Sequence, residues 1–234
     1  EVNITIESNG EWTSVTGGRV WSVKISSEGA QTINLFFDKL ELPQGSSIYI
    51  YNSSHTMLQG PIVGGYLSSE NTLATDVIAG SSIIIEYFEP KSVAGEGSLS
   101  AARVIHGFRN LINDYDLVGN SLECNIDFVC PPDGNEYSWV RDWEEESNAV
   151  VMLIVPSGGV GGEYSYCSGA MLSNIYQDYT PFLLMANHCV SHLPEYTNDM
   201  VVRFGYKRTS CQDETYSYYS YSKGVNKRVG TVFN

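Results

Sequence analysis

Basic residues are scarce in this sequence. Lys and Arg number 13 against 27 Asp and Glu, a formal net charge of −14 over 234 residues. A surface of that sign repels phosphate backbones and argues against nucleic acid as a partner. Long apolar runs are missing too: nothing approaches the roughly 20 residues that cross a bilayer, so no transmembrane segment is read. The opening Glu1-Val2-Asn3-Ile4-Thr5 has neither the basic start nor the apolar stretch of a secretory leader. A secreted protein with its leader already removed fits that opening, and so does an excised piece. Cysteine is absent from the first 123 residues, and no pair has Cys-x-x-Cys spacing. The lack of that spacing argues against a zinc knuckle.

Hydrophobic residues make up 42 % of the chain and charged residues 17 %. A packed core is therefore feasible, in one large or two modest domains. The front of the chain reads as strands. Arg19 to Ile25 alternates with period two, and Gln31 to Phe37, Ser47 to Tyr51 and Ser82 to Phe88 are rich in β-branched and aromatic residues. Gly17-Gly18, Ser27-Glu28-Gly29, Pro43-Gln44-Gly45, Gly64-Gly65 and Ala79-Gly80-Ser81 punctuate them as turns. Short strands so spaced predict an antiparallel β-sandwich over 1–110. A breaker cluster, Ala94 to Ser98, precedes a further strand around Arg103 to Ile105. The polar stretch 111–123 reads as a linker. Strands continue in the second region, 124–234, as in Val150 to Val155 and Phe182 to Met185, so the fold class is all-β. The acidic run Glu144-Glu145-Glu146 reads as a solvated face. The tract Tyr216 to Tyr221 reads as an exposed strand of amphipathic tyrosines.

All five cysteines, Cys124, Cys130, Cys167, Cys189 and Cys211, lie in that second region. Clustered without metal spacing, they favour disulfides and an oxidising compartment. Their odd number leaves one partner missing, free or intermolecular. Of the four histidines, His55 lies in a turn-like Asn52-Ser53-Ser54-His55 context and His106 at a strand end; both read as structural. His188 differs. An apolar strand, Phe182-Leu183-Leu184-Met185, ends at the small Ala186 and then presents Asn187-His188-Cys189. A histidine fixed on such a turn suits a general base, which must stay within hydrogen-bond reach of its nucleophile.

Three motifs recur here in a familiar order. They are Cys124-Asn-Ile-Asp-Phe-Val-Cys130, Cys167-Ser-Gly-Ala-Met-Leu172 and Pro181-Phe-Leu-Leu-Met-Ala-Asn-His-Cys189, followed by a tyrosine-containing strand ending at Cys211. Together, over 120–211, they resemble the catalytic-histidine region of trypsin-like serine proteases, and more closely that of secreted bacterial lysyl endopeptidases. The front segments Val20 to Val23, Asn34 to Asp38 and Ser47 to Tyr51 resemble the propeptide region of such enzymes. The resemblance implies a zymogen: a propeptide-like sandwich ahead of the first half-barrel of an incomplete trypsin-like double β-barrel.

The resemblance further implies that His188 is the catalytic base, that Cys167 pairs with Cys189 and Cys130 with Cys211, and that the partner of Cys124 lies beyond Asn234. The aspartate and serine of the triad are likewise expected beyond Asn234, because no Gly-x-Ser-Gly follows His188 and neither Asp199 nor Asp213 has the expected strand context. The 234 residues alone are then expected to be inactive. Protein or peptide substrates and the remainder of the catalytic domain are the implied partners. Location is secreted, extracellular or at a bacterial cell surface, and no cofactor is implied. Met185 departs from the family's Thr or Ser and removes a hydroxyl near the triad. That departure and the tyrosine tract leave a second reading open, a non-catalytic secreted binding or adhesion protein with a degenerate protease-like half. A metal site on His188 and His192 is disfavoured, since no His-Glu-x-x-His pattern is present and Cys189 has a better use in a disulfide.

Overall fold

The computed structural model describes residues 1–64, 71–108, 128–130, 138–156, 164–191, 196–208, 216–217 and 220–226. The chain divides into two compact units, Glu1–Leu111 and Ile112–Asn234.

The first unit contains β1 (Ile4–Thr5), β2 (Glu11–Val15), β3 (Gly18–Ser26), β4 (Thr32–Glu41), β5 (Ser47–Asn52), β6 (Leu58–Val63), β7 (Leu73–Ala74), β8 (Ile78–Ala79), β9 (Ser82–Pro90) and β10 (Ser98–Gly107). They form two antiparallel sheets, one ordered β1-β10-β4-β7 with β8 also on β4, the other β2-β3-β9-β5-β6. Period-two alternation creates the core. On β9, Ile83, Ile85, Tyr87 and Glu89 are buried, while the residues between them are half-buried. Ile48 and Ile50 of β5 and Trp21 of β3 join them from one sheet. Leu35 and Phe37 of β4 and Leu99 of β10 join from the other, in one cluster. This is the expected sandwich, with the predicted strands falling on β3, β4, β5 and β9.

One boundary differs. The strand expected around Arg103 begins at Ser98, at the end of the breaker cluster. The cause is the buried Glu89. Its Oε2 accepts from Arg19 Nε at 2.7 Å and from the Gly95 N–H at 3.0 Å, and its Oε1 from the Gly97 N–H at 3.1 Å and the Tyr87 hydroxyl at 3.2 Å. The loop between β9 and β10 is thereby tied down, and β10 starts at once. A side chain at Gly97 would collide with the Tyr87 hydroxyl. The Arg19 guanidinium also lies 3.9 Å from the Trp12 ring centroid, a cation–π contact that covers the ion pair from outside.

The second unit contains α1 (Glu144–Ser147), β11 (Val150–Pro156), β12 (Tyr164–Leu172), β13 (Phe182–Met185), α2 (Asn187–Val190), β14 (Tyr196–Phe204), β15 (Lys207–Arg208), β16 (Tyr216–Ser217) and β17 (Ser220–Asn226). Its main sheet is antiparallel, ordered β13-β12-β11-β14-β17, and β15 pairs with β16. β11 is buried along nearly its whole length, as its apolar run Val-Val-Met-Leu-Ile-Val demands in a central strand. The acidic run lies in α1, exposed. Both α-helices have four residues, so the protein is all-β among its described residues. No helix is long and apolar enough to cross a membrane. Within the tyrosine tract, β16 and β17 take Tyr216 and Tyr221, while Tyr218 and Tyr219 lie outside the described residues.

Candidate functional site: the turn that carries His188

β12 and β13 set the position of this turn. They pair antiparallel, with Gly169 opposite Met185 and Leu172 opposite Phe182. Gly169 is required for that approach: a Cβ there would come within 2.9 Å of the Leu184 carbonyl and of Leu183 Cδ1. The alternation of β13 then sorts its residues. Leu183 and Met185 pack against the core of Val151, Leu153, Val155, Met200 and Val202, while Phe182 and Leu184 face solvent. Met185 is therefore a half-buried side chain packed against the core. Its thioether fills apolar space where a hydroxyl would lie in apolar surroundings.

The loop entering β13 is held by Asp178. Its carboxylate accepts from Asn174 Nδ2 at 2.6 Å and from the Thr180 N–H at 2.9 Å. Hydrogen bonds from Thr180 and then Asn174 hold its pKa down at about 2. Sequence reasoning passed over Asp178 and Gly169. The signal for the first was Asn174-x-x-x-Asp178-x-Thr180, a side-chain-capped turn.

After Ala186 the chain turns into α2. The Cys189 N–H donates to the Ala186 carbonyl at 3.1 Å, Cys189 is buried, Val190 packs on the core and His188 is exposed. Cys167 and Cys189 form a disulfide with a Cα separation of 6.5 Å, within the range such bridges need. Cys167 lies on β12 opposite Leu153 of the central strand. The bridge therefore fastens the histidine turn to the middle of the sheet. The imidazole lies beside it, with a ring nitrogen and both sulfurs within 4.8 Å of one another. Those sulfurs are bonded to each other and offer no thiolate to a metal.

The remaining candidates from the sequence are placed more sparsely. Cys130 is disulfide-bonded; its expected partner Cys211, Cys124 and His192 lie outside the described residues. His55 is exposed with φ 56° and stacks on Tyr51 at 5.0 Å. His106 Nδ1 shares a 2.8 Å hydrogen bond with Ser27 Oγ. Among the described residues, no carboxylate hydrogen-bonds His188.

Replacing both Cys167 and Cys189 by alanine should lower the stability of the second unit by about 3 kcal/mol, the loop-closure entropy expected for a bridge of this span. Urea unfolding read by near-ultraviolet circular dichroism measures it. An unchanged midpoint would mean the turn holds without its bridge.

An exposed imidazole fixed at the end of a strand by a disulfide can accept a proton from a hydroxyl brought to it and return that proton to a leaving group. No solved structure matches the chain. Residues 118–231, which include the His188 turn, the β12–β13 pair and the bridge, match the family model described as lysyl endopeptidase, C-terminal domain. Over those residues the protein is related to lysyl endopeptidases, and so to proteases.

Proposed function

We propose that this chain is the histidine-bearing part of a secreted serine endopeptidase that cleaves peptide bonds after Lys or another basic residue. The observation that carries the reading is the placement of His188, exposed on a turn that the Cys167–Cys189 bridge ties to the sheet. In this scheme His188 takes the proton of a serine hydroxyl as it attacks the scissile carbonyl, then gives it to the departing amine. The serine, and the aspartate that holds the imidazole in the productive tautomer, come from sequence beyond Asn234. The second unit is then the first half-barrel of the catalytic domain.

The first unit acts as a propeptide-like domain. None of Lys24, Lys39, Lys91, Lys207, Lys223 and Lys227 lies in the linker, so a strictly lysine-specific enzyme cannot release itself there. Cleavage falls near Arg109 to Leu122, by an enzyme of broader specificity.

The test uses the longer gene product, purified from culture medium. It is expected to hydrolyse peptides at basic residues, to be inactivated by a serine-directed phosphonylating reagent, and to yield a catalytic chain whose N-terminus lies between 110 and 123. Hydrolysis that resists the reagent would sink the serine mechanism. An intact Glu1 in fully active protein would sink the propeptide role.

A further inference from the structure

An antiparallel sheet with one solvated face ordinarily reads apolar inward and polar outward. In the sheet β2-β3-β9-β5-β6, strands β9 and β5 do not. On its central strand β9 the outward, half-buried positions are Ile84, Glu86 and Phe88. Beside them on β5 stand Tyr49, directly across from Glu86, and Tyr51, directly across from Ile84. Glu86 thus sits in mid-strand, where glutamate is disfavoured, with Tyr49 across from it on β5, Ser22 across from it on β3, and Ile84 and Phe88 two residues away on its own strand.

Its carboxylate is held rather than free. The Tyr51 hydroxyl donates to Oε1 at 2.8 Å, and the Tyr51 ring is backed by the His55 imidazole stacked at 5.0 Å. Burial, then the hydrogen bond to Glu86 and its charge, push the Tyr51 phenol up to about 12, so it remains a donor. Among the described residues Glu86 has no cation within ion-pair distance. Lys24, across from Ile84 on β3 and diagonal to Glu86 on the same face, is exposed and is not paired with it. The Oε2 side of the carboxylate is left for an outside donor. A cation on a hydrocarbon stem complements such a place: the charge meets the carboxylate, the π-faces of Tyr49 and Phe88 attract it, and the stem covers Ile84.

We propose that this face of the first unit is a binding site for the basic side chain, lysine or arginine, of a polypeptide. Glu86 is its anion, Tyr51 orients that anion, and Tyr49 and Phe88 wall the cation. The site lies wholly within the first unit and stands whether or not the protease reading does.

The test titrates the 234-residue chain with acetyl-Gly-Lys-Gly-amide and with its Nε-acetylated form, followed by amide chemical shifts. The charged peptide should produce saturable shifts at Tyr49, Tyr51 and Glu86, and acetylation of the amine should remove them. Glu86→Gln should weaken binding about tenfold or more, the weight of a single charge-assisted hydrogen bond. Tyr51→Phe, which keeps the ring and removes the hydroxyl, should weaken it several-fold. Glu28→Gln, a charge removed from an exposed turn elsewhere in the first unit, should change nothing. Equal binding of both peptides on the unmodified protein would overturn the proposal without recourse to any variant. An equal weakening in Glu28→Gln would also overturn it, since that is the mark of diffuse attraction to a protein of net charge −14.

Discussion

On the proposed mechanism, His188→Ala in a gene product that also carries the serine and aspartate is expected to lower kcat/KM about 10⁴-fold or more, with KM changed far less. A serine hydroxyl is a poor nucleophile without a base beside it. Nothing else in this turn can take its proton: the neighbours are Asn187, on one side, and a cysteine committed to the bridge, on the other. The drop in rate should come without loss of fold. His188 is exposed and hydrogen-bonds no described residue, so its truncation should move stability by no more than about 0.5 kcal/mol. Initial rates on a lysyl peptide, beside thermal unfolding of the same preparations, separate the two effects. Activity that persists would remove His188 from the chemistry. Activity and fold disappearing together would make it a structural residue.

Glu89→Ala is expected to destabilise the first unit by about 2–3 kcal/mol, the cost of unpairing a buried hydrogen-bonded group, moderated because the Arg19 side chain left behind is 36 % exposed and can be solvated. Four donors are left without their acceptor: Arg19, the Gly95 and Gly97 amides and the Tyr87 hydroxyl. With a typical domain stable by only about 5–15 kcal/mol, this is a large share of its stability. The same carboxylate predicts acid sensitivity. Burial pushes its pKa up, but the Gly95 amide, the Arg19 guanidinium and the Gly97 amide together pull it below the ordinary carboxylate value. A group depressed in the folded state stabilises above its unfolded pKa, and that contribution fades as pH falls through the folded one. Stability of the first unit should therefore decline below about pH 4.3, and the decline should be shallower in Glu89→Ala. Trp21, buried in this core, reports the transition by its fluorescence. Parallel acid profiles in the two proteins would assign the acid sensitivity to other groups.

Local pattern found β3, β4, β5, β9, β11 and β13, but not β2, β6 or β14. Alternation in Arg19 to Ile25 and Ser82 to Phe88 is information carried by neighbours in the chain, and it also says which residues point together. The order of the cysteine motifs and the strand ending in Asn187-His188-Cys189 likewise singled out the candidate turn, because a motif is a local object. Alternation alone, however, does not say which face is inward when both carry apolar side chains. On β9, Ile84 and Phe88 read no differently from Ile83 and Tyr87 until β4 and β10 are packed against one side. Only that packing left Glu86 outward and Glu89 buried. The partners of Glu89 were equally invisible: Arg19 lies 70 residues away in sequence, and the Ala94 to Ser98 cluster read simply as a breaker. Gly169 and Met185 depended on the approach of β13 to β12, a distance no composition encodes. Residue order along the chain was enough to say where the main alternating strands lie and which histidine follows an apolar strand on a cysteine-bearing turn. Which charges are buried, which are presented, and how firmly the histidine turn is held were settled by folding, because those follow from interactions between segments far apart in the chain.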